Sequence, residues 1–242
     1  MYGKMTYDEY FEAMTRDCAD PDDGTLRSIN ADDRNAAPQN DNFEYKYDDE
    51  LQGIILTKYM GKDSAVIIPA EIAGRPVKSI GRDAFGFCES LESITIPDSV
   101  VSIENGFKLG RGAFEGCHSL TSVYLPDGLE NIGNSAFAAC TALRSITIPG
   151  SVTKIGAEAF AHCSSLQSIV IPSGVEQIGA GAFYNCKSLQ PVIIQGSDVV
   201  ISNTNAIYIF GAFESCPALS EESKQRILQI NPHATKTAFT FV

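Results

Sequence analysis

The sequence predicts an α/β repeat solenoid, a stack of short units that each contribute one strand and one tight turn. Three observations predict it. Six of the seven cysteines lie in the pattern Ala-Phe-x-x-Cys, at Cys88, Cys117, Cys140, Cys163, Cys186 and Cys216, and their spacings are 29, 23, 23, 23 and 30 residues. Each of the first four cysteines is followed by Leu-x-x-Ile-x-Ile-Pro or a close variant, as in Leu143/Ile146/Ile148/Pro149, with a weaker copy at Leu189/Val192/Ile194. A third segment, Val-x-x-Ile-Gly, completes the unit at Val152/Ile155/Gly156 and Val175/Ile178/Gly179. Self-similarity at a fixed period is the mark of stacked repeats, because one unit alone cannot bury its apolar face.

The chain is not uniform. Of its 242 residues, 30 are Asp or Glu and 18 Lys or Arg, a net charge of −12. Residues 1–50 hold 14 acidic and 5 basic residues, and residues 51–242 hold 16 and 13. Residues 1–42 therefore form an acidic leader. In it Thr6-x-x-Glu9 is a capping box for a short helix whose Tyr7, Tyr10, Phe11 and Met14 share one face. Residues 17–42, with seven Asp, follow as a flexible linker. Asp20-Pro21-Asp22-Asp23-Gly24 lacks the glycine position and the closing Glu of a calcium loop, and its acids are ordinary linker carboxylates.

Residues 43–64 alternate as Phe43-Glu44-Tyr45-Lys46-Tyr47 and again through Gly53–Tyr59, a β-hairpin that caps the first unit. Residues 65–219 are the solenoid. Within each unit Ile-x-Ile is a strand with one buried face, and the Pro, which has no N–H, closes it. Gly after the next Ile suits a tight bend. Ala-Phe-x-x-Cys fits one helical or 3₁₀ turn with Phe and Cys inward. Two units are longer, with insertions at residues 105–110 and between Ile194 and Ala212. Insertions of this kind become loops on one face, often the functional one. Residues 220–242 are a helical cap: Ser220 begins a helix with Glu221 and Glu222 in its first turn, burying Ile227, Leu228 and Ile230. Ala238–Val242 add a last strand.

The motifs Leu143-Arg144-Ser145-Ile146-Thr147-Ile148-Pro149 and Ile155-Gly156-Ala157-Glu158-Ala159-Phe160-Ala161-His162-Cys163 resemble the leucine-rich-repeat superfamily, in particular its BspA-like bacterial class. The resemblance covers roughly residues 43–219. It implies a right-handed curved solenoid with a parallel sheet on one face and short helical or 3₁₀ turns on the other. It also implies a secreted or surface-anchored protein, since several such proteins are adhesins for host or matrix proteins. This chain begins without an apolar signal segment and contains no apolar run of about 18 residues.

The chemistry-bearing residues give no catalytic constellation. Cys88, Cys117, Cys140, Cys163, Cys186 and Cys216 form a column of small buried hydrophobes, poorly oriented for disulfides although rungs lie about 4.8 Å apart. No Cys-x-x-Cys pair offers a metal site, His118 and His162 differ in register, and nucleotide-binding glycine loops are missing. The acidic balance excludes nucleic-acid backbone as a partner. Neither a metal nor a cofactor is expected.

What remains is surface. With Ile-x-Ile as core, the sheet shows Thr95, Tyr124, Thr147, Val170 and Ile193 to solvent, flanked by a Ser column and by Glu92, Thr121, Arg144, Gln167 and Gln190. Tyr124, Val170 and Ile193 break a polar Thr ladder, and exposed apolar patches with a polar rim mark interaction sites. The expected function is a non-catalytic, monomeric protein-binding module for a protein or peptide ligand. The candidate contacts are Tyr124, Arg144, Thr147, Gln167, Val170, Gln190 and Ile193, with Phe107 and Lys108 from the first insertion. An intracellular interaction scaffold and an enzyme with its site in the insertions are the alternatives.

Overall fold

A computed structural model describes residues 42–106, 111–202 and 211–230. The leader helix, Phe107, Lys108, most of the second insertion and the expected strand at Ala238–Val242 lie outside these residues.

The fold starts with a hairpin. Strand β1 (Phe43–Asp48) pairs antiparallel with β2 (Gly53–Tyr59). The Asp48 carboxylate accepts the Glu50 and Leu51 N–H groups across the turn, at 3.0 and 2.9 Å. The outer edge of β2 then takes β5 (Arg75–Ile80) in parallel, so the hairpin is the first layer of the stack. A short β4 (Glu71–Ile72) runs antiparallel on β5.

From β5 onward the sheet grows one short parallel strand per unit: β7 (Ser102–Ile103), β9 (Asn131–Ile132), β10 (Lys154–Ile155), β12 (Gln177–Ile178) and β14 (Val200–Ile201). With the hairpin and β4 this makes nine strands. The longest sheet is thus built by the Val-x-x-Ile-Gly segment. The Ile-x-Ile segments make a second line of parallel strands, divided in two. Strands β3 (Ala65–Ile67), β6 (Ser93–Thr95) and β8 (Ser122–Tyr124) form one group; β11 (Ile169–Ile171) and β13 (Val192–Ile194) form the other. Between them the Ile146/Ile148 unit buries both isoleucines but forms no ladder.

The glycine after the second Ile, at Gly133, Gly156 and Gly179, has no positive φ, so left-handed backbone is not what selects it. It serves close approach: a Cβ on Gly133 would strike the Glu104 carbonyl oxygen, and one on Gly179 the Ala157 nitrogen. The Ala-Phe-x-x-Cys segments are runs of turns rather than helix. In the first, Ala84, Gly86 and Cys88 donate back three residues, to Gly81, Asp83 and Phe85. The residues that alternate with them, Asp83, Phe85 and Phe87, donate forward to the next unit, at Arg111, Ala113 and Glu115. That alternation requires left-handed residues, and Asp83 and Phe87 have φ of 57° and 56°. A helix would send every N–H back along its own unit and leave the units unlinked on this side.

The core lies inside the three walls as columns. Phe85, Phe114, Phe137, Phe160, Phe183 and Phe213 stack with ring centroids 5.0–5.4 Å apart. Tyr59 of the hairpin continues the stack at 5.2 Å from Phe85, and Phe43 covers Tyr59. At the other end sits helix α1 (Glu221–Ile230), capped by the Ser220 hydroxyl on the Ser223 N–H. It buries Ile227 fully and Leu228 and Ile230 in part. Ser223 also engages the edge of β13: its hydroxyl accepts the Val192 N–H at 3.0 Å and donates to the Val192 carbonyl at 3.3 Å. The terminal strand is thereby kept from offering that open pair to another chain.

Candidate binding face

The strands of the second line place alternate residues on opposite sides. In β6 and β8, Ile94 and Val123 point to the core side while Thr95 and Tyr124 pair outward. In β11 and β13, Ile169, Ile171, Val192 and Ile194 are buried while Val170 and Ile193 pair outward. The outward column is Ile67, Thr95, Tyr124, Thr147, Val170 and Ile193, all exposed. Its apolar members are far from buried: Ile67 is 77% exposed, Tyr124 50%, Val170 42% and Ile193 50%. Ile67 belongs to this column, although it was not among the residues expected there. The half-unit Val66-Ile67-Ile68-Pro69 carries the same register, and that was the signal for it.

The flanks follow the same order. Glu92, Thr121, Arg144, Gln167 and Gln190 are exposed on one side of the column. Their backbones are tied from unit to unit, with Thr121 N–H to Glu92 C=O at 2.8 Å and Gln190 N–H to Gln167 C=O at 2.7 Å. Asp98 and Asp127, just past the closing prolines, are exposed on the other side. The Asp98 charge, helped by desolvation and by the Asp127 charge, raises the Tyr124 phenol above its ordinary value. A groove of about 670 Å³ lies where β13 meets α1, lined by Pro191–Ile194 and by Glu222, Ser223, Arg226 and Gln229.

The cysteines occupy the opposite, turn-bearing side. Cys117, Cys140, Cys163, Cys186 and Cys216 are fully buried. Each thiol donates to the carbonyl of the Phe one unit earlier, at 3.0–3.2 Å, as Cys140 does to Phe114 and Cys163 to Phe137. Cys88 in the first unit is half-buried. Burial pushes Cys117 and Cys163 up to about 12 and Cys140 and Cys186 well above the ordinary thiol value. Such thiols are poor nucleophiles. His118 donates through Nδ1 to the Ala139 carbonyl at 3.0 Å, and His162 Nδ1 meets Asn185 Nδ2 at 2.9 Å, so the two rings bond different partners.

Two buried carboxylates on this side escaped the sequence reading. Glu115 accepts the Gly112 N–H at 3.0 Å, and burial raises it to about 7 against the backbone N–H bonds of Gly112 and Arg111. Glu158 is raised to about 7 by burial and by the charge of Glu115. Glu214 repeats the Glu115 arrangement, accepting from Gly211 at 2.7 Å. Glu115 and Glu214 sit two residues before Cys117 and Cys216, in the two units that follow an insertion; in the other units that position is Gly86, Ala138, Ala161 or Tyr184.

Stacked units, a core of columns and an ordered outer strand face define a leucine-rich-repeat protein. The model of the BspA type leucine rich repeat region matches residues 68–109 and 78–220, in six copies, and the chain belongs to that family. Among solved structures it is similar to the leucine rich repeat protein TpLRR of T. pallidum, at 30% identity over 84% of this chain and 99% of that one, with a TM-score of 0.66. It is also similar to a leucine rich cell surface protein from Faecalibacterium prausnitzii A2-165, at 30% identity and a TM-score of 0.61, covering 76% of this chain and 53% of that one. A leucine-rich repeat protein from Bacteroides ovatus ATCC 8483 matches at 30% identity and a TM-score of 0.57, over 74% of this chain and 44% of that one. The chain therefore spans about half the length of the last two. No curated protein matches it. Among the described residues no helix is long and apolar enough to cross a membrane.

Proposed function

We propose that the chain is a non-catalytic protein-binding module, of the cell-surface or secreted adhesin-like kind, acting as a monomer. Its ligand, a protein or peptide, lies on the Ile67–Ile193 column. The observation that carries this reading is the half-exposed Tyr124, Val170 and Ile193 on a face that Thr alone would keep soluble. Such residues gain by being covered, whereas their inward neighbours already fill the core. Membership of the BspA-type family and the likeness to a cell surface protein support the location. We take the coil as right-handed, the sense of nearly all parallel crossover connections.

The test is a Tyr124→Glu/Val170→Glu variant, measured beside the wild type for binding to purified matrix and host-surface proteins by biolayer interferometry. Both positions are exposed, so melting should not change. A loss of at least about tenfold in affinity is expected, since each side chain stands at the centre of the face. Equal affinity of a folded variant for a protein that the wild type binds refutes the reading.

A further inference from the structure

The binding face is not electrically even along its length. Carboxylates flank the column only at its first strands, at Glu92, Asp98 and Asp127, and the last two act directly on Tyr124. From Thr147 onward the same flanks hold Arg144, Gln167, Gln190, Gly150 and Ser173, with no acid among them. Where α1 borders Ile193, Glu222 and Arg226 bring one charge of each sign. One end of the column is therefore an aromatic ring among acids, and the other is apolar and near neutral.

We propose that this face takes an extended segment of a partner protein that sets a Lys or Arg over Tyr124 and bulky apolar side chains over Val170 and Ile193. The proposal rests on the reading of the column as a protein-binding face. A cation over the exposed Tyr124 ring meets its π-face and the Asp98 and Asp127 carboxylates together, while an anionic partner meets three like charges. Spacing sets the partner's length. Tyr124 and Ile193 are three units apart, roughly 14 Å at about 4.8 Å per unit. An extended chain covers that in about four residues at roughly 3.3 Å each. The recognised segment thus pairs a basic residue with an apolar one about four positions away. Complementarity at the acidic end fixes which way the segment lies.

A phage-displayed library of random heptapeptides, panned on the intact chain, tests this. Recovered peptides should pair Lys or Arg with Ile, Val, Leu or Phe at that spacing. A synthetic peptide of the recovered sequence should bind about threefold to tenfold more weakly to Asp98→Asn/Asp127→Asn, and more weakly in high salt. It should lose binding to Val170→Glu/Ile193→Glu. Replacing the peptide's basic residue with Glu should be partly rescued by Asp98→Lys. Peptides that need Val170 and Ile193 but ignore the aspartate variant overturn the charge assignment and leave the face standing. Peptides indifferent to both variants, or no recovered peptide, overturn the face itself.

Discussion

Glu115→Gln is expected to stabilise the chain above pH 7 and to change it little near pH 4.5. Glu115 is only 6% exposed, on the turn side of the unit that follows the first insertion. Burial lifts it from 4.5 to about 7, the Asp83 charge adds to the rise, and the backbone N–H of Gly112 and Arg111 with the Arg111 charge oppose it. The folded chain therefore holds this proton more tightly than the unfolded chain. Between pH 4.5 and 7 the folded state binds more protons than the unfolded one, so stability falls as pH rises through that window. A move from 4.5 to about 7 corresponds to about 3 kcal/mol when the group is fully ionised at higher pH. Glutamine keeps a carbonyl for the Gly112 N–H but adds an NH₂ that needs its own acceptor, so a net gain of about 1–3 kcal/mol is expected at pH 8. Urea denaturation of wild type, Glu115→Gln, Glu158→Gln and the double variant at pH 5, 6, 7 and 8 measures it. Because ionised Glu115 raises Glu158, the double variant should gain less than the two single gains together. A Glu115→Gln difference that does not grow with pH refutes the reasoning.

Two further outcomes follow from the columns. Phe137 is fully buried between Phe114 and Phe160, at 5.0 and 5.4 Å, so Phe137→Ala should cost about 3–5 kcal/mol in chemical denaturation; a cost under about 1.5 kcal/mol would mean that the stack closes over the gap. Cys117, Cys140, Cys163 and Cys186 should resist iodoacetamide at pH 8 in the native chain and label fully in denaturant, as read by peptide mass spectrometry; native labelling of Cys140 would contradict its burial.

The repeat register was legible because Leu, Ile, Phe and Cys recur at fixed spacing, and those positions fill the core columns of the structure. The faces were less legible, for physical reasons. A two-residue strand such as Lys154–Ile155 is too short to show alternation, so the segment that builds the longest sheet resembled a connection. The turn wall was misread because its left-handed positions seldom carry glycine. Ser135, Ala139, Glu158 and His162 all have φ near 60°, a conformation that disfavours L-residues by about 1–2 kcal/mol. Forward hydrogen bonds from unit to unit tie their N–H groups, and no single unit contains those bonds. The buried glutamates were missed for a similar reason. Their signal was a column difference, Glu115 where other units have Gly, Ala or Tyr and Glu158 where others have Asp, Gly or Ser, visible only once units were aligned position by position.

The thiols bear on where such a chain can work. Six unpaired cysteines in a sequence suggest a reducing compartment, because exposed thiols oxidise elsewhere. The structure removes that inference for five of them. Cys117, Cys140, Cys163, Cys186 and Cys216 are buried, and each points its hydrogen at a carbonyl of the preceding unit. Thiols held in this way are inaccessible, and burial also keeps Cys117, Cys140, Cys163 and Cys186 far from ionised, whereas oxidation proceeds through the thiolate. The column therefore withstands oxidising surroundings as long as the stack is closed, and its protection fails first where the stack ends. Cys88, half-buried beside the hairpin, is that end. Burial raises it, Asp83 adds to the rise and Lys58 opposes it, so even there the thiolate is disfavoured. The cysteine ladder is thus compatible with a surface protein and gives no support to an intracellular one.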